Sequence, residues 1–209
     1  CDIQAVSSAK LLEKSKNKDL YNSISICLKN NNGLYTLSIS VQNPERDYKV
    51  VINKKIFGEE NVNLSNTKFT VISEFSGRHA GLVTDKNGNI SFTEYKVPVG
   101  TYKYLITETG TAGKQFVNIL DGDVYIEVVL KVNEDGTITI VDEEGNAVKD
   151  KYYLYKQREG TSLLDKLDFE DTVADTYINV STGEENKTPT LNVSIKDPEF
   201  YNFELIKKD

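Results

Sequence analysis

Apolar and polar residues alternate along most of this chain, and the alternation predicts strands. YNSISICLK and LYTLSISVQNP form two such runs around the turn NNNG, with Leu37, Ile39, Val41 and Asn43 on one face of the second arm. YKVVINKKI begins another strand, with Val50, Ile52 and Lys54 sharing a face. Strands follow at TKFTVISEF and at GTYKYLITETG, where Tyr102, Tyr104, Ile106 and Glu108 point the same way. LVTDKNGNISF reads as a hairpin around Asn87-Gly88, and VYIEVVLKVNEDGTITI as a strand pair around Asp135-Gly136. Leu163, Leu164, Leu167 and Phe169 suggest a short amphipathic helix capped by Thr161 or Ser162. A last hairpin, TYINVSTGEENKTPTLNVSIKDP, puts Leu191, Val193, Ile195 and Asp197 on one face and ends at Pro198.

Three of these apolar faces end in a charge. Lys54, Glu108 and Asp197 each take an inward position in a strand. An unpaired buried charge costs several kcal/mol, so each needs a partner or a chemical use. Read alone, the stretch around Lys54 favours a lysine that snorkels to solvent, since a long stem reaches out easily. Three such positions of these types form a coherent set. In a sandwich whose first and last strands pair, Lys54 and Asp197 meet beside Glu108. Desolvation favours the neutral amine, which is a nucleophile, and the neutral acid, which polarises a second carboxyl group. The product of that attack is an amide between two side chains, with loss of water. From residue types alone, a buried salt-bridged triad without a bond is the plainer reading.

The chain also repeats itself. Asn43 and Asp197 end similar strands 197 − 43 = 154 positions apart, and Lys54 and Lys207 stand 207 − 54 = 153 apart. A fixed period marks tandem modules. Residues 47–198 read as one module. Residues 1–46 read as the closing strands of a preceding module or a divergent N-terminal domain, and 199–209 as the start of a following one.

Composition narrows the partners. The chain has 209 residues, 38% hydrophobic and 27% charged, with net charge −7 and no basic stripe. That is globular and argues against a nucleic-acid backbone as partner. Twelve Tyr and eight Phe favour strands. No apolar run reaches membrane-spanning length and no signal peptide is visible. Methionine is absent, which suggests a mature form or an excised piece. Asp85, Asn87 and Asn89 tempt a calcium-loop reading, but Ile90 stands where glycine is needed and Lys96 where glutamate is needed. His79, beside Arg78, reads as a solvated loop residue, and one histidine makes no zinc site. No metal or cofactor is expected. A disulfide between Cys1 and Cys27 and two separate thiols both stay open.

At the residues of the triad the chain resembles the isopeptide-forming domains of Gram-positive surface proteins: Cna-type B domains of adhesins and isopeptide-linkage domains of major pilins. The resemblance spans about residues 47–198 and rests on VVINKKIFG, TKFTV, TDKNGNISF, GTYKYLITETG, VYIEVVLKVNEDGTITI and SIKDP. It implies an all-β, immunoglobulin-like or prealbumin-like β-sandwich, here with a short helical insertion. It also implies a spontaneous bond from Lys54 to Asp197, assisted by Glu108, with Asn43 and Lys207 serving neighbouring modules. A register shift would make Lys55 the nucleophile. TGTAGKQF replaces the family's usual proline-glycine-tyrosine ending after the glutamate, and neither a sorting signal nor the pilin lysine motif is present. The implied role is a structural stalk or pilus module on the cell wall, with neighbouring modules and host matrix or glycan as partners. Three other readings stand beside it. The first is a carbohydrate- or matrix-binding sandwich with KYYLYK as stacking platform. The second is a hydrolase built on Glu108. The third is a plain structural domain with a buried ion triad.

Overall fold

The computed structural model describes residues 24–41, 45–110, 120, 122–167 and 177–198. Among them the chain forms strands β1 (Ile24–Asn31), β2 (Leu34–Val41), β3 (Glu45–Ile56), β4 (Glu59–Asn63), β5 (Lys68–Ser73), β6 (Gly77–Val83) and β7 (Asn89–Pro98). They continue as β8 (Gly100–Gly110), β9 (Val124–Val132), β10 (Ile138–Ile140), β11 (Tyr153–Gln157), β12 (Leu164–Lys166), β13 (Ile178–Glu185) and β14 (Thr188–Asp197). One sheet runs β12-β11-β9-β8-β5-β6, with β10 on β9. The other runs β13-β14-β3-β4, with β7 also on β3. β1 and β2 make a two-stranded sheet of their own. The protein is an all-β sandwich.

Two-residue alternation builds the core. Along β3, Tyr48, Val50, Ile52, Lys54 and Ile56 are buried while the residues between them are partly exposed. Tyr48, Val50 and Ile52 share a core with Phe69 and Val71 of β5, Tyr104 and Ile106 of β8, and Ile126, Val128 and Leu130 of β9, while Ile56 packs with Leu64. Burying each large apolar side chain contributes about 1.5–3 kcal/mol. β14 adds Leu191, Val193 and Ile195, and β13 adds Ile178 and Val180.

The strand that opens the sandwich and the strand that ends it lie side by side. β14 pairs with β3 in parallel over eight positions, from Thr190↔Lys49 to Asp197↔Ile56. Parallel neighbours need a long connection, and here that connection is nearly the whole sandwich.

Two expectations need correction. Asn87-Gly88 does form a turn, but β6 and β7 do not pair: β6 pairs with β5 and β7 with β3, in opposite sheets. Asp85 Oδ1 accepts the Asn87 and Asn89 amides, so it serves the turn. The Gly88 carbonyl then bonds to Lys54 N at 2.8 Å, which draws the chain across to the second sheet. The helix expected from Thr161 onward is also absent where it should begin. Leu164–Lys166 is strand β12, paired antiparallel with Tyr155–Gln157. Arg158 and Asp165 clamp the loop between β11 and β12 through two bonds of 3.0 and 2.7 Å. Phe169 lies outside the described residues.

Candidate functional site

Lys54 is held by its backbone before its side chain does anything. Its N–H donates to Gly88 O at 2.8 Å and its carbonyl accepts from Leu64 N at 2.9 Å. Gly88 sits at φ +71, where an L side chain is strained, and a Cβ there would stand 2.6 Å from Lys54 O and 2.8 Å from Asn63 Cβ. Only glycine allows that approach. On the neighbouring strand Ile195 is the parallel partner of Lys54, and Asp197 follows two residues on, on the same face. The Asp197 carbonyl accepts from Phe57 N at 2.9 Å, which fixes the end of β14. Glu108 arrives from the opposite sheet, on β8, where its register partner is Phe69 of β5.

The three side chains meet. Lys54 Nζ lies 2.6 Å from Glu108 Oε2 and 2.5 Å from Asp197 Oδ1, and all three side chains are 0% exposed. The snorkelling lysine is therefore corrected: β3 keeps its register, and Lys54 is sealed between two sheets. Lys55, the alternative nucleophile, sits on the opposite side of β3 and is half-buried. The Phe69 ring centre stands 6.0 Å from Nζ, an apolar wall with weak cation–π attraction at most.

One ammonium faces two carboxyl groups, so with all three ionised the site carries an excess negative charge. Burial pushes the Glu108 carboxyl up, and Asp197 beside it pushes the same way; the Lys54 charge and hydrogen bond oppose them. The result is about 7. Glu108 Oε1 is buried and has no hydrogen-bond partner among the described residues. A pair of carboxyl groups around an amine, one of them neutral near pH 7, is equipped to move protons during amide formation. It is not equipped for an outside substrate, because no part of the three side chains reaches solvent. The hydrolase reading loses its cleft on that ground.

The described residues hold a second buried polar cluster, which the sequence reading did not find. Tyr48 and Tyr104 share a hydroxyl contact of 2.5 Å across the sandwich. Tyr104 donates to Glu94 Oε1 at 3.2 Å, and Ser76 donates to the same oxygen at 2.7 Å. Burial pushes both phenols above their ordinary range. His79 lies in β6 rather than in a loop. Its Nε2 is 2.7 Å from Ser76 Oγ, and its ring stacks on Phe92 at 5.0 Å. Glu94 carries the same signature as the triad, since Ile90, Phe92 and Glu94 alternate along β7.

Of the other singled-out residues, Cys27 is paired through its backbone with Ser38, on β1 and β2. Cys1, Asn43 and Lys207 lie outside the described residues. In KYYLYK, Tyr152 packs against the core. Tyr153 is flanked by Lys166 at 4.2 Å and Lys151 at 5.2 Å from its ring centre, which occupies the face a sugar would stack on. No helix among the described residues is long and apolar enough to cross a membrane.

No family model matches the chain, and no curated protein does either. Solved structures do resemble it. A C-terminal fragment of the pilus adhesin SpaC from Lactobacillus rhamnosus GG is 11% identical, with a TM-score of 0.43 over 87% of this chain and 56% of that one. Domains D2 and D3 of the major pilin SpaD from Corynebacterium diphtheriae are 14% identical, with a TM-score of 0.35 over 87% and 60%. The major pilin subunit BcpA of Bacillus cereus is 16% identical, with a TM-score of 0.28 over 83% and 39%. The chain spans little more than half the length of the first of these. At such scores the likeness carries no function across, and any function has to be read from the buried triad.

Proposed function

We propose that this chain is a load-bearing module of a Gram-positive surface stalk or pilus, and that it links itself internally by an amide between Lys54 and Asp197. The observation that carries this reading is the contact of Lys54 Nζ with Asp197 Oδ1 at 2.5 Å and Glu108 Oε2 at 2.6 Å, with all three side chains closed to water. Two reacting groups held at contact in a dry core need no separate enzyme. The bond belongs to the fold and nothing is turned over.

The step balances within the three side chains. The Lys54 ammonium first passes one proton to the Asp197 carboxylate it touches, and the resulting amine attacks the carbon of the protonated Asp197 carboxyl group. Glu108 gives its proton to the departing Asp197 oxygen and takes one from the Lys54 nitrogen. A C–N bond forms, a C–O bond breaks, and one water leaves, with Glu108 restored. Under the same reading the module boundaries fall near residues 47 and 198, and Asn43 and Lys207 belong to bonds of neighbouring modules. The working location is extracellular, on the cell wall, within an adhesin or a pilus shaft.

Intact mass under reducing, denaturing conditions, followed by peptide mapping, tests the proposal. The expected result is a deficit of one water, with the Lys54 and Asp197 peptides joined, and its loss in Glu108→Ala. A mass equal to that of the sequence would overturn it.

A further inference from the structure

Hairpin β1–β2 is a positional copy of hairpin β13–β14. β1 begins at Ile24 and β13 at Ile178, and 178 − 24 = 154; β2 begins at Leu34 and β14 at Thr188, and 188 − 34 = 154. The ladders shift together: Ile24↔Val41 becomes Ile178↔Ile195, and Ile26↔Ile39 becomes Val180↔Val193. The turns correspond as well. Asn32 and Gly33 have φ of 53° and 87°, and Asn186 and Lys187 have φ of 52° and 66°. Two successive positive φ values make the type I′ turn of a tight hairpin.

The surroundings of the two copies differ. β14 carries a parallel ladder to β3 on its other edge, and its inner face is buried, with Leu191 at 0% exposure. β2, among the described residues, pairs with β1 alone. Leu37 stands in the place of Leu191 (191 − 37 = 154) and is 60% exposed. A lone two-stranded hairpin is marginal in water. A strand edge with no ladder among the described residues, beside the exposed Leu37, invites a partner.

We infer that β1–β2 closes a neighbouring β-sandwich of this same build. The neighbour's first strand runs parallel along β2, and its facing sheet covers Leu37. The strand that fits is one of alternating apolar residues ending in lysine, as β3 is at Tyr48, Val50, Ile52 and Lys54. The same alternating pattern stands in the sequence at Tyr201, Phe203, Leu205 and Lys207, 201 − 48 = 153 positions on. The sequence pattern thus recurs on both sides of the module, at 154 positions for the hairpin and 153 for this stretch.

A fusion tests this directly: residues 45–177 placed ahead of residues 24–209, so that β1 follows residue 177 as β13 does. The expected result is two folded sandwiches, with β2 amides exchanging as slowly as those of β14. Leu37→Asp in the fusion should unfold the added half and leave the second intact. If residues 45–177 stay unfolded and the β2 amides exchange freely, the inference fails. It fails equally if the unfused chain forms concentration-dependent dimers with protected β2 amides, because a second copy would then cover the hairpin. Both readouts are blind to the Lys54–Asp197 amide, so loss of that proposal and loss of this one are told apart.

Discussion

In the proposed step Glu108 assists the bond only while it holds a proton. Its carboxyl is pushed up to about 7, so the proton is present below that pH and is lost as pH rises through it. The expected outcome is a cross-linking rate that falls above about pH 7, followed by intact mass as unlinked chain, kept denatured since its synthesis, is folded at a series of pH values. Glu108→Gln keeps the shape but cannot take up and return a proton, so it should slow the bond by about 10²–10⁴-fold. A rate that is flat from pH 5 to 9 would remove Glu108 from the relay. Residues of this kind were legible in the sequence because each ends an apolar alternating run. Glu94 ends such a run too, yet its partners Tyr104 and Ser76, and Tyr48 bonded to Tyr104, come from three different segments. Alternation reveals that a side chain points inward; it does not reveal what waits there.

At the scale of the element, Gly88 sets the position of Lys54. Gly88→Ala should destabilise the sandwich by about 1–3 kcal/mol through backbone strain and the clash with Lys54 O. It should also slow cross-linking in the molecules that still fold, read by thermal melts and by mass over time. Unchanged linking kinetics would show that the turn leaves Lys54 in place. Most strands and the β9–β10 and β13–β14 hairpins follow from periodicity and turn residues. Periodicity does not choose a strand's partner: the arms of the Asn87-Gly88 turn alternate as a hairpin would, yet they part into two sheets. Leu163, Leu164 and Leu167 suit one helical face, but with Arg158 clamped to Asp165 the segment Leu164–Lys166 continues a sheet.

For the whole molecule, an amide between Lys54 and Asp197 closes a loop of 197 − 54 = 143 residues. In the chain-entropy description of cross-links, closing such a loop is worth about 5 kcal/mol. An unlinked Asp197→Ala variant should therefore melt about 10–20 °C lower than the linked protein, measured by calorimetry. It also leaves Lys54 with Glu108 as its counter-charge, so the buried pair is not stranded. Equal melting temperatures would mean that the bond is absent or adds no constraint.

The parallel seating of β14 against β3 has a consequence for biogenesis. A chain that emerges from its amino end delivers Lys54 early and Asp197 only after the rest of the sandwich. β14 must then insert between β13 and β3, the slowest kind of contact for a chain to find. The amide can form only after that insertion, so it would seal finished molecules and pass over unfinished ones. On this view the bond is a certificate of completed folding, issued before the module reaches proteases and load.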